Sequence, residues 1–182
     1  MPAAAKSFGQ FLSFAVLAIA LGLSAAYAQD ESVSEIRYKE DYDQVQKIAK
    51  TAEPAKRSEQ LLSFYKGRAD MDPKIREYAD NIFARDLESL LKQSNYTAMR
   101  GLAERALKTR PNFGEAYFFL GVSLKFDKKI DEAMNAFAKC YLIKNSLQPR
   151  AKQLLDTTYR SANRGSLTGE DKILKKAMSE LK

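Results

Sequence analysis

Few residues in this chain could do covalent chemistry. There is one thiol, Cys140, and no histidine. Without imidazole there is no His general base, no His-ligated metal and no Ser-His-Asp triad. One cysteine allows neither an intrachain disulfide framework nor a thiolate metal cage. Carboxylates are common, but pairs such as Asp131-Glu132 read as helix-start chemistry. Asn95-Tyr96-Thr97 matches a glycosylation acceptor, and Asn95 is better explained as a helix N-cap. The sequence contains no phosphate loop, metal-ligand spacing or nucleophile arrangement, so neither enzyme activity nor a cofactor is expected. Thirty Lys and Arg against 23 Asp and Glu give a formal charge of +7, which points to charge-assisted recognition.

Residues 1–28 read as an export leader. Lys6 is their only charge, Phe11 to Ala26 is nearly all apolar, and Ala26-Tyr27-Ala28 offers small residues at a signal-peptidase site. The other reading is a retained membrane anchor, for which a run of about 16 apolar residues is short against the roughly 20 a bilayer needs. Cleavage would leave 154 residues of net charge +6, enough to bury one core. The mature protein is then expected in a bacterial periplasm or secreted, with no membrane span remaining. In that oxidising space Cys140 reads as a buried small hydrophobe, or else as an intermolecular disulfide or reactive thiol.

From about Glu35 onward apolar residues recur at spacings of three and four, and Gly and Pro are confined to a few joints. Pro54 and Asp72-Pro73 open helices, Asn95 caps another, and Pro111 ends it. The expected fold is all-α, with about seven or eight helices. Residues 29–41 are read as a flexible N-terminal segment and 42–182 as the helical domain.

Shifting the chain by 34 residues lays like on like. Phe83 falls on Tyr117, Leu90 on Leu124, Met99 on Ala133, Ala103 on Phe137 and Ala106 on Cys140. A period of that length in helical sequence means helix pairs stacked in an array. Within residues 114–147, Tyr117, Leu120 and Leu124 form a stripe. Gly121 and Ala133 are small where two helices approach, Phe137 fills the space toward the next unit, and Ile143 closes the second helix. These residues resemble a tetratricopeptide repeat. Residues 80–113 resemble one too, with Asp86 at the position of Leu120 and Leu87 at that of Gly121. Residues 42–75 and 148–182 are degenerate units. In the last, Thr168 with Asp171 resembles a capping box for a final helix.

The resemblance implies a right-handed superhelical solenoid that scaffolds protein–protein interaction, first helices lining a concave groove. By position it assigns that groove Arg85, Glu88, Leu91 and Lys92, then Phe118, Val122, Lys125 and Phe126, then Lys152, Asp156, Tyr159 and Arg160. Such a mixture of apolar surface and cations suits an acidic, amphipathic protein or peptide partner. Phe118 and Phe126 have a second reading as packing residues, and the lysines one as a solvated face. Val122 stands where carboxylate-clamping members carry asparagine, so no such clamp is expected.

Charge is uneven: net −2 over 29–72, +4 over 73–147 and +4 over 148–182. The basic half supports an alternative, charge-driven binding to an anionic envelope polymer or membrane surface. Export and the lack of interleaved aromatic and basic residues argue against nucleic acid. Self-association is a third possibility.

Overall fold

The structure, a computed structural model, describes residues 34–68 and 70–181. The leader expected over 1–28 lies outside the described residues. Those described form eight helices and no strand: α1 (34–49), α2 (Pro54–Tyr65), α3 (Pro73–Lys92), α4 (Tyr96–Thr109), α5 (Gly114–Phe126), α6 (Ile130–Leu142), α7 (Gln148–Ala162) and α8 (Glu170–Glu180). None is long and apolar enough to cross a membrane.

The chain divides into two units, residues 1–43 and 44–182. Of the segment expected to be flexible over 29–41, residues 34–41 are described and are helical. Ile36, Tyr38 and Tyr42 are exposed in the first unit, and the last two, one turn apart, stack with parallel rings 6.4 Å between centroids.

In the second unit each helix begins and ends for a local reason. Pro54 and Pro73 occupy first-turn positions, where a missing N–H costs nothing, and Asp72 accepts from the Lys74 N–H at 2.8 Å. Asn95 caps α4 as expected, its Oδ1 accepting from the Ala98 N–H at 3.2 Å. The capping box expected at Thr168 and Asp171 does not form. Gly169, at φ +95°, stands at the N-cap of α8, and the Thr168 carbonyl instead accepts from the Tyr159 hydroxyl at 2.8 Å. A side chain on Gly169 would place its Cβ 2.8 Å from that hydroxyl.

The 34-residue period reappears in the helix boundaries. α3 and α5 end 34 residues apart, at Lys92 and Phe126; α4 and α6 start at Tyr96 and Ile130; α5 and α7 start at Gly114 and Gln148. The turns repeat as well. Ser94, Lys128 and Arg164 follow α3, α5 and α7, all in the left-handed region at φ 57°, 61° and 51°. After each, the next residue's N–H returns to a carbonyl in the helix: Asn95 to Leu90 at 2.9 Å, Lys129 to Leu124 at 2.9 Å and Gly165 to Arg160 at 2.8 Å. This is the Schellman closure, which satisfies otherwise orphaned carbonyls.

Packing follows the order of the helices. α2 lies on α3 and α4, α3 on α4 and α5, α4 on α5, α5 on α6, and α6 on both α7 and α8. One cluster runs from Val45 through Leu61, Phe83, Leu102 and Phe119, and a second joins Leu124, Ala133, Phe137, Leu155 and Ala177. Phe137 and Cys140 are fully buried. The close approach read at Gly121 is present: an added Cβ would lie 2.6 Å from the Phe137 ring.

Asp86, at the position aligned with Leu120, is also fully buried. The core accepts it because Arg57 on α2 grips it through two Nε contacts of 2.9 and 3.1 Å, and Ser58 donates to it at 3.2 Å. Burial still lifts its carboxyl above the ordinary range, against the opposing pull of Arg57.

The joint between α6 and α7 is closed by one side chain. Asn145 Nδ2 donates to the carbonyls of Cys140 (2.7 Å) and Ile143 (2.6 Å), and its Oδ1 accepts from the Leu147 N–H at 2.8 Å. Gly114, at the start of α5, lies so close that a Cβ there would sit 2.3 Å from that nitrogen.

Candidate functional site

One row of contacts crosses three alternate helices. Arg150, in the first turn of α7, sets its guanidinium carbon 4.8 Å from the centroid of the Phe118 ring on α5. The same guanidinium reaches Glu88 on α3, Nη1 to Oε2 at 3.4 Å. Arg150 and Glu88 keep 51% and 32% of their side-chain exposure, so the pair lies on the surface and Phe118 beneath it. At that exposure the ion pair contributes little stability. What it establishes is geometric: α3, α5 and α7 open onto a common face.

On α3 this face carries Arg85, Glu88 and Lys92, spaced three and four apart and therefore on one stripe. Arg85 and Lys92 are exposed, and Arg85 Nε donates to the Asn81 carbonyl at 3.3 Å. Leu91 is half-buried against the core. On α5, Val122 is half-buried and Lys125 exposed. Arg85, Lys92, Lys125 and Arg150 thus stand against Glu88 alone among the residues just named, and the stripe is cationic.

Several expected groove residues lie elsewhere. Phe118 is buried, 1% exposed, edge-on to Phe119 at 5.2 Å and 6.2 Å from Phe137. It is a floor under Arg150 and cannot be touched by a partner while that cation covers it. The reason is that α5 packs against α3, α4 and α6 together, so its apolar residues are buried around most of its circumference. Tyr117 and Leu120, expected in the buried stripe, are only half-buried, while Phe119 is buried. Phe126 is 61% exposed but stacks on Tyr96 with centroids 3.9 Å apart, beside a cleft of about 640 Å³ lined also by Arg100, Glu104 and Asp127.

The α7 row of the expected groove faces the other way. At 100° per residue, Lys152, Asp156 and Tyr159 fall roughly opposite Arg150. Lys152 pairs with Asp156 and with Glu170 at 2.9 Å, and Tyr159 is buried with its hydroxyl on Thr168. These residues hold the return segment before α8. Arg160 is exposed, also off the Arg150 stripe. The 34-residue register gave no means of finding Arg150, because it aligns with Ala116.

A second polar cluster occupies the edge formed by the start of α3, the end of α4 and the start of α5. Arg110 forks onto Asp80, Nη2 to Oδ2 at 2.8 Å, and lies 4.9 and 4.3 Å from the Tyr65 and Phe113 centroids. Tyr65 donates to Asp80 at 2.6 Å; burial, then the Asp80 charge, push its phenol well above the usual range. Glu115, lifted by burial, accepts from Ser146 at 3.4 Å. A cleft of about 650 Å³ opens there. Its central charges already satisfy one another, which marks a structural network.

Among the described residues no group of three or more acidic or thiol side chains is placed to hold a metal ion. Cys140 is buried, its thiol pushed up to about 12 chiefly by desolvation, so the buried-hydrophobe reading fits and the thiolate is suppressed. No protein-family profile, curated protein or solved structure matches this chain.

Proposed function

We propose that the protein is an exported adaptor of tetratricopeptide-repeat type, which binds an acidic, amphipathic segment of a partner protein on the face shared by α3, α5 and α7. Its place is the cell envelope, periplasmic or secreted, and its mechanism is binding alone. The observation that carries this reading is the Glu88–Phe118–Arg150 row, in which alternate helices contribute to one surface. Repeated helix boundaries and the thrice-used turn closure support stacked pairs, with α3, α5 and α7 as first helices. A preformed helical face binds without ordering cost to its own backbone.

The charge-driven alternative draws less support. Lys139, Lys152 and Lys175 are engaged by Glu180, Asp156 and Glu170, and Asp171 respectively, which spends part of the C-terminal positive charge internally.

A photo-crosslinking pull-down separates the two. A photoreactive side chain replaces Lys125 on the face, or Lys176 on α8 as control. Capture is run on the native envelope fraction at low and about 0.5 M salt, where the Debye length falls to roughly 4 Å. The adaptor reading expects one protein at Lys125, weakened by salt, and lost when Arg150→Glu is added. Capture confined to Lys176 and abolished by salt overturns it.

A further inference from the structure

The cationic face and the N-terminal end of the chain are complementary. Residues 29–43 hold six carboxylates and two cations, net −4, with Val33, Ile36, Tyr38 and Tyr42 interspersed. From residue 34 this segment is helical, and Ile36, Tyr38 and Tyr42 are 59%, 42% and 42% exposed. Glu35 precedes Tyr38 by three residues and Tyr42 by seven, so all three share one helical stripe. Tyr38 and Tyr42 already stack in parallel, presenting a continuous aromatic strip with a carboxylate at one end.

The receiving face has the matching order. Arg85 and Lys92 flank Glu88 on α3, Lys125 stands on α5, and Arg150 lies across the ring of Phe118. Arg150 is held on Phe118 with donors facing a carboxylate, yet that carboxylate is a half-exposed side chain of the protein itself, in a single 3.4 Å contact. Guanidinium binds carboxylate best as a two-pronged fork. Glu88 is therefore an exchangeable occupant of a preformed carboxylate receptor.

We propose that this face holds the acidic segment 29–43 of a second copy, with Glu35 of that segment taking the place of Glu88 at Arg150 and Tyr38 and Tyr42 lying across α5. The proposal rests on the adaptor reading of the same face and names its occupant. Because donor segment and acceptor face are different surfaces, the contact is head-to-tail and can propagate from copy to copy.

The test uses the full chain, expressed with its own leader and purified as the cell exports it, in sedimentation over a wide concentration range. The chain as it stands is expected to associate reversibly. Arg150→Glu and Glu35→Lys, both at exposed positions, are each expected to weaken association by about tenfold or more, the scale of a close interfacial charge pair. Mixing the two variants is expected to restore it, since a reversed arm then meets a reversed face. A labelled peptide of residues 29–43 is expected to bind the Glu35→Lys chain and not the Arg150→Glu chain. A monomer at every concentration, association unchanged by either reversal, or no recovery on mixing overturns the proposal. If the chain is monomeric while a foreign protein is still captured at Lys125, this inference fails and the adaptor reading stands. If neither occurs, both fail.

Discussion

Replacing Gly121 by alanine gives the sharpest check on how α5 meets α6. In an exposed helix interior the change stabilises by about 1 kcal/mol, because alanine loses less backbone entropy than glycine. Here the added Cβ lies 2.6 and 2.7 Å from two carbons of the Phe137 ring. That ring is fully buried and close to Phe118, so it has nowhere to swing. Overpacking costs roughly 1–3 kcal/mol, and a ring that cannot move aside puts this case at about 2–3 kcal/mol. The propensity gain offsets only part, leaving a net loss of about 1–2 kcal/mol and a fall in Tm of some 2–8 °C for a domain this size. Gly101, inside α4, is the control. Its Cβ would meet only the flexible end of Arg105 at 3.5 Å, so Gly101→Ala is expected to stabilise by about 0.5–1 kcal/mol. Urea denaturation followed by circular dichroism measures both. Adding Phe137→Leu to Gly121→Ala should cost less than the two single changes summed. A neutral or stabilising Gly121→Ala, or equal losses at both glycines, would refute the close approach.

Other expectations follow from the same geometry. Lys128→Gly, at φ 61°, is expected to stabilise by about 1 kcal/mol in the same denaturation assay, since glycine occupies the left-handed region without strain. Cys140 should resist alkylation at pH 8 in the native protein and react fully in denaturant, because burial keeps it a thiol; rapid native labelling counts against the packing described. Arg57→Met strips Asp86 of its cation and should cost about 3–5 kcal/mol, since the carboxylate is left buried. Asp86 has a raised folded pKa, so the native state holds its proton more tightly and stability falls as pH rises from about 4 through the folded value. Arg57→Met should steepen that fall in denaturation midpoints measured across the range, and a flat profile would show Asp86 to be solvated.

Much of the helical plan was legible because it is written in local signals. Pro73 and Asn95 mark helix starts whatever surrounds them, and the repeat pattern marked Gly121 as a point of close approach, though with Ala133 and not with the Phe137 ring it meets. What failed was orientation. α5 carries consecutive phenylalanines at 118 and 119, which no single helix face accommodates together, and that run was itself a sign of burial on several sides. A one-sided α5 would have turned Phe118 outward; burial on several sides makes it a packing residue, its second reading. On α7 the repeat register named the flank holding the return segment, because the loop that follows, 163–169, is four residues longer than its counterpart 127–129. Asp86 and Arg57 lie 29 residues apart, and no local pattern announces a buried ion pair at that separation.

The Gly114–Asn145 contact has a consequence for how such an array could be rebuilt. Asn145 joins α6 to α7 and fills the space that Gly114 leaves at the start of α5, so one joint depends on a residue of the preceding helix pair. Cuts that follow the helix starts at Gly114 and Gln148 keep the two together, whereas a cut anywhere between them separates them. A graft that brought any side chain to the Gly114 position would meet the Asn145 amide, and one that lost Asn145 would strand the carbonyls it serves. Shortening or lengthening the protein therefore requires moving the stretch from Gly114 to Asn145 as one block, with the cuts placed outside it.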